Sequence, residues 1–546
     1  MRKGVKVAIV GGVFTAMVGG AGYGAYNIVT TVSGDGGSSS AGAPGARRSG
    51  PPTSDEIKET SAKFLAAWAK GDASGAASYT NFAENAGPAL EGWHDDAHIT
   101  HTVLTAGTPA GAKVPFKVKA TVSFKGQKRT TTYDSSLTIV RGETTGRPLV
   151  QWRPSVLHPE MREGDTLVTG ESAAPPIEAV DRNGTVLTKD KYPSLGPVLE
   201  TLRAKYGNDV GGSPGVETFI QRESAEGTTT AKTLLTLAKG KPGTLHTTIS
   251  ASAQAAAEQS VTKFSKSAVV AVKPSTGEVL AVANHGYGEF NAAFEGRLAP
   301  GSTMKIITAA ALIDNGVTSM TGPAPCPDAA PALSQTFHNL TGMQPNEGAT
   351  LSNSFQRSCN TAFIKLSDDL GADKFAAEAQ NRFGLGKDWQ TGVVSYDGSV
   401  PVNGNSDDPA GMIGQGKVLM NPLNMASVTA TAITGTFHQP VLVAPKLGDR
   451  QLATANGLPS STVSQLKQMM RLTATSSIGT ATNAMSGLTG DIGAKTGSAE
   501  VDGQSVANSW FTGYRGDVAA AAMAEGGGHG GDAAGPIVAS VLRAGS

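Results

Sequence analysis

The chain has 546 residues, 39% of them hydrophobic, so two to four domains with real cores fit within it. Its 45 basic side chains balance 45 acidic ones. No net field draws it to nucleic acid, which is therefore not among the expected partners.

Arg2, Lys3 and Lys6 precede an uncharged stretch, residues 7–30, long enough to cross a bilayer as a helix. Basic residues on its N-terminal side predict a cytoplasmic tail over residues 1–6 and a single-pass transmembrane signal-anchor, with the rest of the chain extracytoplasmic at the cell membrane. The alternative is a cleaved signal peptide, since six glycines leave the span only mildly apolar and Gly22 and Gly24 offer a small-residue cleavage site. Residues 31–54 are mostly Gly, Ser, Ala, Pro and Thr, a flexible linker that cannot bury a core.

Structure is expected from Asp55. Ile57, Phe64, Leu65 and Trp68 give an amphipathic helix that stops near Gly71-Asp72. Alternating segments over residues 98–104, 114–124, 130–140 and 149–152 predict a curved antiparallel sheet after that one helix. His94, His98 and His101 lie close to Asp95 and Asp96, but the surrounding sequence is no clear helix, and we assign no metal there. Residues 161–250 hold a hairpin turn at Asn183-Gly184 and a mixed segment over 199–206, read as a linker or pedestal domain.

The C-terminal domain, residues 251–546, opens with an Ala/Gln-rich helix over 252–264. Strands are expected over 268–272 and 279–283, then far downstream over 492–501, 509–514 and 518–524, with turns at Asp502-Gly503 and 515–517, and a last helix over 535–543. Strands at both ends around a helical middle imply an α+β domain with one antiparallel sheet and an inserted helical lobe. The glycine run at 526–531 lacks a Walker pattern and reads as a loop. Both cysteines, Cys326 and Cys359, fall in this half. A disulfide is permitted outside the cytoplasm, and the sequence leaves their pairing open. Cys359 has no histidine in its local motif, so it reads as a packed thiol rather than a nucleophile.

Three motifs carry the chemistry. Gly301-Ser302-Thr303-Met304-Lys305 opens an apolar helix that ends at Asn315-Gly316, and i,i+3 spacing puts Lys305 within reach of the Ser302 hydroxyl. Serine needs a base, and lysine serves only when burial or a neighbouring cation makes its neutral form accessible. Lys495 could be that neighbour. Ser-x-x-Lys also occurs at Ser260 and Ser464, inside ordinary helical patterns, and about two matches are expected by chance. Ser358-Cys359-Asn360 and Lys495-Thr496-Gly497-Ser498 each occur once, in the order that serine acyl-transfer sites of the penicillin-recognising kind use. A strand bearing the last motif on a sheet edge can pair with an extended peptide. Gly497 would clear space for the ligand.

With Ile413-Gly414-Gln415-Gly416 and Trp510-Phe511-Thr512-Gly513-Tyr514, these residues resemble the penicillin-binding transpeptidase family from about residue 252 onward. The phrase Val180-Asp181-Arg182-Asn183-Gly184 is similar to the linker of class B penicillin-binding proteins. Residues 55–160, closing on Val150-Gln151-Trp152 and Leu157-His158-Pro159, resemble the MecA-type N-terminal domain. The resemblance implies a multidomain α+β protein. After the anchor come a small cone-shaped, nuclear-transport-factor-like domain, the pedestal, and a transpeptidase domain whose five-stranded antiparallel sheet is flanked by helices and joined to an all-helical lobe.

It further implies Ser302 as acylated nucleophile, Lys305 as base, and Ser358 and Asn360 as proton shuttle and substrate holder. Lys495, Thr496, Gly497 and Ser498 would form the carboxylate-binding strand, with the N–H groups of Ser302 and Ser498 as oxyanion hole. Ser498 stands where Thr is commoner, and Ser250 where the family often has Asp. The activity implied is peptidoglycan D,D-transpeptidation of stem peptides ending in D-Ala-D-Ala, blocked by β-lactams. It requires no metal or organic cofactor, and it leaves room for a glycan-polymerising partner. A D,D-carboxypeptidase would use the same residues with water as acceptor. A serine β-lactamase would normally be shorter and carry a deacylating carboxylate. A β-lactam receptor or non-catalytic division scaffold is the reading from a different class.

Overall fold

The computed structural model describes residues 49–224, 227–501 and 503–545. The expected tail (1–6), membrane span (7–30) and most of the tether (31–48) lie outside the described residues, as does Asp502 of one expected turn. Among the described residues no helix is long and apolar enough to cross a membrane. The chain divides into two compact units. The first comprises residues up to Ser123, Lys128–Val168 and Ile220–Ala231; the second comprises Phe124–Gln127, Thr169–Phe219 and Lys232 onward.

The first unit begins with α1 (Ser54–Ala69), whose end is satisfied by a reciprocal capping box between Thr53 and Glu56. Two further helices follow, α2 (Ala73–Ala77) and α3 (Ala83–His94), where the sequence predicted a single one. Gly87 and Pro88 mask α3 as a helix; the apolar face of Ala86, Leu90 and Trp93 holds it against the core. The sheet runs β1 (Ile99–Ala106), β2 (Lys113–Phe124), β3 (Gln127–Arg141) and β4 (Pro148–Val150) in that order. Val114, Phe116, Val118 and Ala120 alternate inward along β2. Trp68 meets Trp93 and Phe116 edge-on at 5.1 and 5.9 Å, the aromatic centre of this core. His94 does end a helix, contrary to expectation, and its Nδ1 lies 2.8 Å from the Ile99 carbonyl.

Next along the chain, β5 (Asp165–Glu171) is followed by β6 (Glu178–Val180), α4 (Gly196–Tyr206), β7 (Val216–Ser224), β8 (Gly227–Ala238) and β9 (Thr244–His246). Strands β5, β7 and β8 form one sheet, and β6 pairs in parallel with β9. Buried Asp181 accepts from the N–H groups of Asn183, Thr185 and Ala251, so one carboxylate closes the Asn183-Gly184 turn and fixes the start of α5 (Ala251–Val261). Burial pushes its pKa up, but those backbone donors together hold it below the ordinary value. Ser250 caps α5 through the Ala253 N–H, which gives the departure from Asp a structural use.

The main sheet of the second unit has the order β11-β10-β16-β15-β14, antiparallel throughout. Its members are β10 (Ser267–Val272), β11 (Val279–His285), β14 (Ile492–Ala499), β15 (Asn508–Arg515) and β16 (Val518–Ala524). The first and last strands of the domain meet as β10 beside β16. Alanines along fully buried β16 leave room for helices on both faces. α5 and α15 (Ala534–Ala544) cover one face and α13 (Pro422–Thr434) the other.

Between the strand groups lie α6 (Ala292–Glu295), a 3₁₀ turn (Gly301–Met304) running into α7 (Lys305–Asp314), α8 (Leu351–Gln356), α9 (Asn360–Lys365), α10 (Ser367–Leu370), α11 (Ala372–Asn381), α12 (Asp407–Gly411) and α14 (Ser460–Thr475). The lobe is not all-helical: β12 (Ala329–Ala332) and β13 (Gln335–His338) form a hairpin. Its Ala-Ala-Pro-Ala strand carries little β-forming signal. Cys326 and Cys359 are bridged, which ties the segment before this hairpin to the N-cap of α9. The pairing that the sequence left open is thus made, and Cys359 is a packed, bridged sulfur.

Candidate active site

Ser302 does not start the α-helix itself. It sits in the 3₁₀ turn, with Lys305 the first residue of α7. In a 3₁₀ turn residues i and i+3 eclipse, so the two side chains stack one above the other. Lys305 Nζ lies 2.8 Å from Ser302 Oγ. The turn is held from outside: the Gly301 N–H donates to Gly414 O at 2.9 Å, and a Cβ on Gly414 (φ +80°) would stand 1.9 Å from Gly301 O. Gly497 is also required by the packing of the protein itself. A Cβ there would lie 2.8 Å from Pro300 O and 3.0 Å from Thr303 N, so its bareness admits the Ser302 turn.

Lys305 is fully buried, and its Nζ also meets Asn360 Oδ1 at 2.7 Å and Ser358 O at 2.8 Å. Burial first, and then the nearby Lys495 charge, hold its pKa well below the ordinary lysine value. Two of its three partners are carbonyl oxygens, which can only accept. A neutral amine satisfies them with its two N–H groups and turns its lone pair to the Ser302 hydroxyl. Any other orientation would leave a buried acceptor without a donor.

Ser358 links α8 to α9 at φ +59°, a conformation unusual outside glycine that costs on the order of 1 kcal/mol. There its carbonyl meets Lys305 while its Oγ accepts from Lys495 Nζ at 2.8 Å. Asn360 is oriented by the hairpin: its Nδ2 donates to His338 O at 3.1 Å, and its N–H donates to Asn339 Oδ1 at 2.7 Å. Asn339, just past β13, also accepts from the Thr361 N–H and donates to Pro327 O. The motif search missed this positioning residue, because an Asn ahead of Leu-Thr-Gly reads as ordinary turn chemistry.

Lys495 is buried on edge strand β14, donates to Thr496 O at 2.9 Å, and has its pKa pushed down by burial to about 7. The rings of Phe363 and Phe355 lie 5.4 and 5.6 Å from Lys305 Nζ and Lys495 Nζ. Ser498 is half-buried, with its backbone against Gly301. All eight sequence-predicted residues thus gather around the Ser302 turn and the facing end of β14. The other two Ser-x-x-Lys matches do not: Ser260 Oγ donates to Ala257 O, and Lys467, the lysine partner of Ser464, pairs with Asp491. A weakly basic buried amine on a serine hydroxyl, with a second lysine joined to it through Ser358, is the equipment of serine acyl transfer.

Fold and site together define a penicillin-recognising serine domain. The penicillin binding protein transpeptidase domain matches residues 267–543, and the chain belongs to that family. More particularly it is a class B penicillin-binding protein with a MecA-like N-terminal domain, the NTF2-like N-terminal transpeptidase domain matching residues 56–165. Peptidoglycan D,D-transpeptidase PbpA of Mycolicibacterium smegmatis is 32% identical over 213 residues, covering 33% of this chain and 43% of that protein. PbpA of Mycobacterium tuberculosis is 30% identical over 202 residues, covering 31% and 41%. The matched stretch is thus less than half the length of these curated relatives. Among solved structures, Pseudomonas aeruginosa PBP2 in complex with WCK 5153 aligns with a TM-score of 0.52 at 23% identity, covering 68% of this chain and 96% of that one. The D,D-transpeptidase domain from Eggerthella lenta aligns with a TM-score of 0.51 at 20% identity, covering 68% and 98%. These two likenesses concern the fold.

Proposed function

We propose that this protein is a peptidoglycan D,D-transpeptidase that cross-links stem peptides through an acyl-enzyme on Ser302. The observation that carries the reading is the buried Lys305 amine, 2.8 Å from the Ser302 hydroxyl with its remaining partners both acceptors. Neutral Lys305 takes the Ser302 proton as Oγ attacks the carbonyl of the D-Ala-D-Ala bond. The N–H groups of Ser302 and Ser498 receive the oxyanion, each worth on the order of 3 kcal/mol. Ser358 Oγ, bonded to Lys495, passes a proton to the departing D-alanine amine, while Asn360 holds Lys305 and a substrate amide. Lys495, Thr496 and Ser498 hold the terminal carboxylate, and the backbone of β14 pairs with the extended donor. An amine of a neighbouring stem then attacks the ester, the C–O bond to Ser302 breaks, and an amide forms. A β-lactam enters the same way and remains as a stable ester.

The domain scheme that goes with this reading is a tail over 1–6, an anchor over 7–30, a tether over 31–54, a MecA-like domain over 55–160, a pedestal over 161–250 and a catalytic domain over 251–546. The anchor places the protein in the cell membrane with its site outside the cytoplasm. Retention of the full chain in carbonate-washed membranes tests this. A glycan-polymerising partner fits a chain that only cross-links.

The test of the activity is incubation of the full-length protein with a stem pentapeptide donor and an amine acceptor. We expect D-alanine release together with the new amide. Hydrolysis alone would move the reading to a D,D-carboxypeptidase, and no D-alanine release would end it.

A further inference from the structure

The carboxylate end of the site holds a hydroxyl that none of the three motifs supplies. Thr480 Oγ1 lies 2.7 Å from Thr496 Oγ1, and Thr480 is exposed where Thr496 is nearly buried. Its position is not accidental to a loose loop. After α14 the chain folds back on itself: the Gly479 N–H donates to Ser476 O, the Thr480 N–H to Gln356 O at 3.2 Å, and the Ala481 N–H to Thr473 O. Gln356 also accepts from Ser476 Oγ at 2.8 Å while its own amide donates to Ser352. Gln356 ends α8, two residues before Ser358, so its backbone carbonyl and its side chain together tie the loop that carries Thr480 to the helix that leads into Ser358.

From this geometry we propose that Thr480 is a specificity-determining residue of the Ser302 site, its hydroxyl binding the terminal carboxylate of the acyl donor together with Thr496. The inference rests on the transpeptidase reading and adds a fourth side chain to the carboxylate subsite. Two hydroxyls in mutual contact hold only two protons, one of which is spent between them. The remaining O–H is polarised by its neighbour and is the one free to donate. An arriving carboxylate is acceptor-only with two oxygens, so both protons can turn to it, beside the Lys495 charge. A neutral ester lacks the second anionic acceptor and cannot recruit the pair in this way. The site should therefore discriminate a free terminal carboxylate from its ester partly through Thr480.

The experiment measures second-order acylation rates of the full chain by a penicillin and by its methyl ester, for wild type, Thr480→Val and Thr480→Ser. Valine keeps the shape and removes the hydroxyl. We expect Thr480→Val to lower the rate with the free acid about tenfold, to leave the ester rate as in wild type, and Thr480→Ser to restore the acid rate. An unchanged acid rate in Thr480→Val, equal losses on acid and ester, or a serine variant as slow as the valine variant would each overturn the proposal. The two readings fail differently: wild type that takes up neither compound defeats the transpeptidase assignment itself, and this inference with it. Wild type that acylates normally beside an unaffected Thr480→Val defeats the inference alone.

Discussion

Replacing Lys495 by methionine is expected to flatten the rise in stability of the second unit between pH 7 and pH 9 and to abolish acylation of Ser302 at the same time. Lys495 is fully buried, and burial lowers its pKa from 10.5 to about 7. At about 1.4 kcal/mol per pH decade, the fold carries a cost of about 5 kcal/mol from this group at and below pH 7. The sign follows from proton counts. Between pH 7 and about 10.5 the unfolded chain keeps the proton that the folded chain has released, so stability rises with pH across that window; below it this group contributes no slope. From pH 7 to pH 9 the gain is about 2 kcal/mol. Lys305, whose pKa is lowered by burial and by Lys495 itself, adds a slope of the same sign. Methionine removes the charge but strands Ser358 Oγ and Thr496 O, each otherwise bonded to Lys495, at about 1–3 kcal/mol apiece. Against the relieved cost of about 5 kcal/mol, the two stranded acceptors together return about 2–6 kcal/mol, so the variant stays within about 3 kcal/mol of wild type at pH 7. Denaturant unfolding at pH 7 and pH 9, with penicillin labelling alongside, reads all three effects. A variant more than about 3 kcal/mol less stable than wild type at pH 7, or one with an undiminished pH slope, would refute the reasoning.

Lys305→Met should lower the acylation rate by about 10²- to 10⁴-fold with the fold retained, and the acid limb of the wild-type rate profile should fall well below the ordinary lysine pKa of 10.5. Stopped-flow labelling across pH checks both. Reducing the Cys326–Cys359 bridge, which closes 33 residues, should cost about 3–4 kcal/mol and slow acylation through the loosened α9 end. Thermal melts and labelling with and without reductant measure these. Gly414→Ala should reduce acylation by more than about tenfold while circular dichroism stays unchanged, because a side chain at φ +80° strikes the Gly301 carbonyl behind the nucleophile.

The site was legible in the sequence because its chemistry sits in short, ordered runs. Ser302 with Lys305, Ser358 with Asn360 and the Lys495–Ser498 strand needed only spacing and order to be found, and the flanking strands of the main sheet were visible as alternating or continuous apolar segments. What escaped was held by contacts distant in the chain. Asn339 lies on a hairpin of weak β composition and acts by orienting Asn360. Thr480 reaches Thr496 on a loop held by the end of α14 and by Gln356, 124 residues earlier. Ser358 adopts a left-handed backbone that no composition rule assigns to serine. Helix α3 was hidden by Gly87 and Pro88, whose local preferences the packing of Leu90 and Trp93 overrides. The contact of Gly497 with the Ser302 turn joins segments almost two hundred residues apart, so it too was invisible in the sequence.

The most direct test of the central claim is the intact mass of the full-length protein after exposure to penicillin, compared between wild type and Ser302→Ala. A serine oxygen activated by Lys305 predicts one covalent drug adduct on wild type and none on the variant. An unmodified wild type, or an adduct that survives Ser302→Ala, would contradict it.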